Sequence, residues 1–156
     1  MTEECPIIVY HGTNTVVKKS EVRIVGYNKD FGFGFYCTRF ERQAQRWAIS
    51  KKNLHIVCVY GYFPDKSLRT KVFPEMTDEW LDFVAACRHG EAHPYDIVEG
   101  PMADDEVWDY VEDFLSERIS REAFWALARF KHPTHQILFC TDQALMTLKF
   151  RSSYQL

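Results

Sequence analysis

No run of lysine or arginine exceeds two residues anywhere in this 156-residue chain, and the formal net charge is −3. A protein that grips nucleic acid regardless of sequence needs a basic face to displace counterions from phosphates, so that class starts disfavoured. Long apolar runs are missing too. None approaches the roughly twenty residues that cross a bilayer as a helix. The opening stretch Met-Thr-Glu-Glu-Cys-Pro is acidic and polar, unlike a secretory leader. Paired cysteine spacings are also absent, because Cys5, Cys37, Cys58, Cys87 and Cys140 are scattered and odd in number. They read as small buried hydrophobes in a reducing compartment, not as a disulfide framework or a metal site. The expectation is a cytoplasmic protein with no membrane segment.

Apolar residues are plentiful by contrast, at 46% with 12 Phe, 8 Tyr and 4 Trp, which sets disorder aside. The length suits a single domain over residues 1–156 with a real core. Glycine is scarce at seven residues, yet two of them sit in Asp30-Phe31-Gly32-Phe33-Gly34-Phe35-Tyr36-Cys37-Thr38. Glycine in an aromatic strand marks a bulge or a close approach of backbone to something else. Aromatic faces beside exposed backbone suit a planar ligand; a core strand with a glycine bulge is the plainer reading.

Periodicity supplies the rest. Ile7–Tyr10 predicts a short strand stopped by Gly12, with a weak strand at Val22–Val25 and an aromatic strand at Phe33–Cys37. Thr38 and Glu41 have capping-box spacing, and Phe40, Ala44, Trp47 and Ala48 share one side of the helix that follows. Strands are expected at Leu54–Tyr62, Pro94–Val98, Gln136–Cys140 and near Leu148–Phe150. Helices are expected at Thr77–Arg88, Asp104–Leu115, Ser120–Phe130 and Asp142–Met146, with Trp80, Leu81, Val84 and Cys87 inward on the first. Mixed elements without strict alternation predict an α+β fold, helices packed on a split or strongly bent sheet.

The chemistry-bearing residues are few. His11-Gly12-Thr13 places a ring donor, free backbone groups and a hydroxyl at one strand end, which suits an amide and a sugar hydroxyl; a satisfied histidine in a turn is the alternative. His89 with His93, and His132 with His135, invite a metal reading. Gly90 and Pro94 oppose a helix there, and Glu91 is one place off the metalloprotease pattern.

Taken together, His11-Gly12-Thr13, Phe31–Tyr36, Ala44 and Trp47 resemble the ADP-ribosyltransferase fold of the diphtheria toxin and poly(ADP-ribose) polymerase branch, the His–Tyr–Glu class. A closer resemblance is to the bacterial transferase-like toxins called domain of unknown function 3990. The matching segments are Asp30–Thr38, Gln43–Ala48, Tyr95–Asp105 and Gln136–Phe150. This resemblance implies an ADP-ribosyltransferase-like sheet core with flanking helices, and NAD⁺ as substrate. Gly12 and Thr13 are expected to hold the nicotinamide carboxamide, and Gly34 to contribute to NAD⁺ binding. Tyr36 and Trp47 are expected to sandwich the ring, and His11 to bond the adenosine ribose. The class places a glutamate at the start of a late strand, where this chain has Gln136. An amide can orient a ribose hydroxyl but cannot act as a base, so single transfer is expected and chain elongation is not.

Asp104 and Asp105 sit in a first helical turn, where acids commonly cap the helix. The functional alternative makes one of them the carboxylate that Gln136 lacks. The acidic stretch running on to Glu117 reads as a solvated face. The resemblance further implies the toxin half of a toxin–antitoxin pair, blocked by a small antitoxin protein, with an acceptor that low charge inclines toward protein over nucleic acid. The competing class is a non-catalytic module that binds NAD⁺, another nucleotide or a partner; plain NAD⁺ hydrolysis is the intermediate case.

Overall fold

The computed structural model of the protein describes residues 5–16, 30–103, 105–128 and 134–156. The expected strand at Val22–Val25 lies outside the described residues. In chain order the elements are β1 (Ile7–Thr13), β2 (Phe35–Cys37), α1 (Glu41–Ile49), β3 (Ile56–Tyr62), β4 (Thr70–Val72) and α2 (Asp78–Arg88). There follow β5 (Ile97–Gly100), α3 (Asp105–Leu115), α4 (Arg121–Ala128), β6 (Gln136–Phe139), α5 (Asp142–Leu145) and β7 (Leu148–Gln155). The fold is mixed α+β, with two sheets. One is antiparallel in the order β1-β3-β7; the other runs β2-β6-β5-β4, with only the β4–β5 pair parallel. Among the described residues a single bridge joins them, in which Tyr10 and Thr38 exchange backbone hydrogen bonds of 2.8 and 2.9 Å.

Side-chain alternation along the second sheet divides the core in two. Phe35 and Cys37 of β2, Ile97 of β5, and Ile137 and Phe139 of β6 face the first sheet, against Val9, Cys58 and Tyr60. Their neighbours Tyr36, Val98 and Leu138 face the other way, onto α2, α3 and α4. Period two thus puts a sheet on one face and helices on the other, and leaves the strands buried on both. On α2, Thr77 accepts a hydrogen bond from Trp80 N at 3.2 Å, and Trp80, Leu81, Val84 and Cys87 are buried. Each such large apolar side chain contributes roughly 1.5–3 kcal/mol on burial.

Several expectations need correction. Thr38 does not cap α1; it is held in the bridge to Tyr10, so the helix begins after Phe40 and the Thr38 hydroxyl accepts from Phe40 N at 3.0 Å. Glu41 instead accepts from the Tyr154 hydroxyl at 2.8 Å. Phe40 is 43% exposed, and Gln43 joins Ala44 and Ala48 on the buried face. The strand placed at Pro94–Val98 begins only at Ile97 and continues through Gly100, because Asp96 is occupied bonding the Arg69 and Cys140 backbones. The final strand extends to Gln155, paired along β3 across a bulge. The three-residue edge strand β4 carries no apolar alternation and went unpredicted.

Candidate active site

Gly12 brings β1 unusually close to α1. A Cβ there would lie 2.1 Å from the Ala44 carbonyl oxygen and 2.7 Å from Ala48 N, so no larger residue fits without displacing the helix. That contact seats Trp47 beside the end of β1. His11, on the opposite side of the strand, packs on Phe35 with ring centroids 4.3 Å apart. Its Nδ1 lies 2.6 Å from the Tyr36 carbonyl oxygen, which can only accept, so the proton is on Nδ1.

Beside them the chain turns through Asp30–Gly34. Gly32 has φ +88°, a left-handed conformation that favours glycine. Gly34 lies against β6, where a Cβ would meet the Phe139 carbonyl oxygen and Leu138 Cδ1 at 2.6 Å each. The Tyr36 hydroxyl closes this loop, donating to the Gly32 carbonyl at 2.7 Å and accepting from Phe31 N at 3.2 Å. Burial pushes that hydroxyl well above its ordinary pKa, and the nearby Asp30 charge adds to the shift.

These elements enclose a cavity of about 270 Å³ lined by His11, Gly12, Asp30, Tyr36, Trp47, Ser50, Lys51, Arg88, Met102, Ala103 and Gln136. His11, Gly12, Tyr36, Trp47 and Gln136, far apart in sequence, therefore share one wall system. Thr13 and Gly34 are not among the lining residues. Thr13 is buried and accepts from Thr15 N at 3.3 Å, while Gly34 serves the packing of its loop on β6. Asp104 lies outside the described residues, and Asp105 is the first residue of α3.

The carboxylate that does line it is Asp30. It is 4% exposed and forms an ion pair with Arg88 of α2. Its Oδ2 accepts from Ala103 N at 2.7 Å and from Gln136 Nε2 at 3.1 Å. Gln136 opens β6, is 3% exposed, and points its amide nitrogen also toward the Pro101 carbonyl at 3.4 Å. The loop carrying Pro101–Ala103 is pinned by Trp80 Nε1, which donates to the Pro101 carbonyl at 2.9 Å, and by Thr134, which bonds both the Met102 N–H and its carbonyl. Sequence reasoning quoted Asp30 as part of the aromatic run but gave it no role, since its partner Arg88 is 58 residues away.

His93 and His135 serve the scaffold. His93 Nε2 donates to the Phe31 carbonyl at 3.0 Å, and His135 Nδ1 accepts from Arg39 N at 3.0 Å. Among the described residues no group of His, Cys, Asp and Glu is arranged to hold a metal ion; His132 lies outside them. Nor is any helix there long and apolar enough to cross a membrane.

Chemically the cavity offers two aromatic side chains, an imidazole, a buried neutral amide backed by a carboxylate that an arginine pairs, and a lysine. No curated protein and no solved structure matches the chain. One protein family, described as a protein of unknown function (DUF3990), matches residues 7–150. That span takes in every residue lining the cavity, and the chain belongs to the DUF3990 family.

Proposed function

We propose that this protein binds NAD⁺ by its nicotinamide end in the cavity and transfers a single ADP-ribose to an acceptor. The observation that carries this reading is the convergence of His11, Gly12, Tyr36, Trp47 and Gln136 on one cavity. Its volume is near the lower end of small-molecule sites, roughly 300–1,000 Å³, and accepts one end of a dinucleotide. Tyr36 and Trp47 supply ring faces for a cationic pyridinium. Gly12 backbone groups hold the carboxamide, and His11 bonds a ribose hydroxyl.

In the reaction the bond between nicotinamide nitrogen and ribose C1′ breaks, and its electron pair leaves with nicotinamide. The acceptor forms a new bond to C1′ from the opposite face and releases its proton to solvent. The transition state is cationic at the ribose, so positioning and nearby negative potential do most of the work. Resemblance to the ADP-ribosyltransferase-like toxins extends the reading to a cytoplasmic toxin held in check by a small antitoxin protein, with protein favoured as acceptor.

One observation favours a second reading. Gln136 is neutral and cannot deprotonate an acceptor, which suits a module that holds NAD⁺ without turnover. Incubating purified protein with NAD⁺ and following released nicotinamide separates the two. Transfer or hydrolysis predicts release that falls at least about tenfold in His11→Ala and Gln136→Ala, the scale expected when a positioned transition-state contact is lost. Binding without release points to the module; neither binding nor release overturns both readings.

A further inference from the structure

The orientation of the Gln136 amide is determined by its surroundings. Its nitrogen end meets Asp30 Oδ2 at 3.1 Å and the Pro101 carbonyl at 3.4 Å, and both of those groups only accept. The reversed amide would set its oxygen against two acceptors, so the nitrogen must face them. The oxygen then lies at the other corner of the amide, in a side chain that lines the cavity.

We propose that Asp30 is a positioning residue: its buried carboxylate clamps the Gln136 nitrogen and turns Oε1 into the cavity as the fixed acceptor for a ligand hydroxyl. The carboxylate itself is held from two further sides, by Arg88 of α2 and by Ala103 N. The site's negative charge therefore resides on residue 30, and the amide at 136 relays it as an oriented dipole. This explains why a glutamine stands where the resemblance leads one to expect glutamate. Two carboxylates separated by the present 3.1 Å could not both ionise. The hydroxyl bound by Oε1 rests on the ADP-ribose reading above; the clamp between residues 30 and 136 does not.

The test compares wild type, Gln136→Glu, Gln136→Met and the double variant Asp30→Asn/Gln136→Glu in thermal melts at pH 5 and pH 8, and in nicotinamide release. Placing a second carboxylate beside Asp30 raises the folded-state pKa of the pair above its unfolded value. Stability is then retained at low pH and lost as pH rises through the raised value. Gln136→Glu is expected to melt close to Gln136→Met at pH 5 and at least about 4 °C below it at pH 8. Among the described residues, the charged and titratable groups facing the pair are Arg88 and Cys87 from α2, Tyr36 from β2, His11 from β1 and Lys51 in the cavity lining. All four proteins share them, so their contributions largely cancel in the difference.

In the double variant a single carboxylate remains, at residue 136, and the pH-dependent gap is expected to close. Where wild type releases nicotinamide, Gln136→Glu should be slower at pH 8 and the double variant faster than Gln136→Glu. A Gln136→Glu protein no more pH-sensitive than Gln136→Met overturns the clamp, as does a penalty that Asp30→Asn leaves unchanged. Should the double variant not fold, the comparison of Gln136→Glu with Gln136→Met still decides. Loss of NAD⁺ chemistry with the coupling intact would sink the ADP-ribose reading and leave the clamp standing.

Discussion

Tyr36 makes two kinds of contribution that a single substitution separates. Its hydroxyl ties down the glycine loop through Gly32 and Phe31, and the residue lines the cavity. Tyr36→Phe keeps the ring and leaves the buried Phe31 N–H and the half-buried Gly32 carbonyl short of a partner, a loss of about 1–3 kcal/mol. Urea unfolding is expected to show that loss, while NAD⁺ affinity stays near the wild-type value. Equal affinity losses in Tyr36→Phe and Tyr36→Ala would assign the binding role to the hydroxyl instead. Gly12 poses a steric question. Gly12→Ala drives a methyl group into the Ala44 carbonyl and the Trp47 Cβ, both far closer than van der Waals contact. Overpacking of this kind costs about 1–3 kcal/mol or more. The variant should melt lower and bind NAD⁺ more weakly, because α1 and Trp47 move together. A neutral Gly12→Ala would mean that β1 and α1 are not so tightly joined.

At the scale of elements, the start of β6 is the joint on which the site depends. Gln43 of α1 acts as a surrogate strand: its Nε2 donates to the His135 carbonyl and its Oε1 accepts from His135 N at 3.0 Å. Gln43→Ala strips both backbone groups, at a cost of about 1–3 kcal/mol. It should also weaken NAD⁺ binding, since Gln136 is the next residue. Beside this joint Glu99 of β5 holds Arg39 through bonds of 2.7 and 2.9 Å and meets His135 Nε2 at 3.4 Å. Burial opposes ionisation of Glu99, but the Arg39 hydrogen bonds and the neighbouring His135 ring prevail and keep its pKa below the ordinary value. A depressed carboxyl stabilises the fold above its unfolded value, about 4.3, and that contribution is lost as pH falls through the lower folded value. Melts from pH 6 down to pH 3 should therefore fall less steeply in Glu99→Gln than in wild type. An unchanged slope would show that the cluster adds nothing to acid stability.

Elements with a strong period were readable in the chain itself. Trp80, Leu81, Val84 and Cys87 on α2 are buried as their spacing predicted, and the early, aromatic and late strands exist where apolar runs marked them. The convergence of His11, Tyr36, Trp47 and Gln136 was also anticipated, through a pattern of motifs whose order is visible without coordinates. Long-range polar pairing was not. Asp30 is only the first residue of the aromatic run until α2 delivers Arg88 to it, and Thr38 reads as a helix cap until Tyr10 claims its backbone. Edge strand β4, with exposed Thr70 and Val72, has no buried face to impose alternation.

For the molecule as a whole, the two sheets share one interface, in which Phe35, Ile97, Ile137 and Phe139 pack on Val9, Cys58 and Tyr60. Neither sheet can keep its buried face without the other, so unfolding should be a single cooperative event. Tryptophan fluorescence and far-ultraviolet circular dichroism are expected to give coincident urea transitions; separated midpoints would show that the sheets come apart independently.

The cavity lies beside the bridge that joins those sheets, with one wall from β1 and α1 and the other from β2, β6 and α2. Calorimetric titration of NAD⁺ into wild type and Trp47→Ala decides whether it is a nicotinamide site. A nicotinamide site gives saturable binding to wild type that weakens by about tenfold, near 1.4 kcal/mol, when the indole is removed. No binding to wild type at millimolar NAD⁺, or equal binding by both proteins, would contradict it.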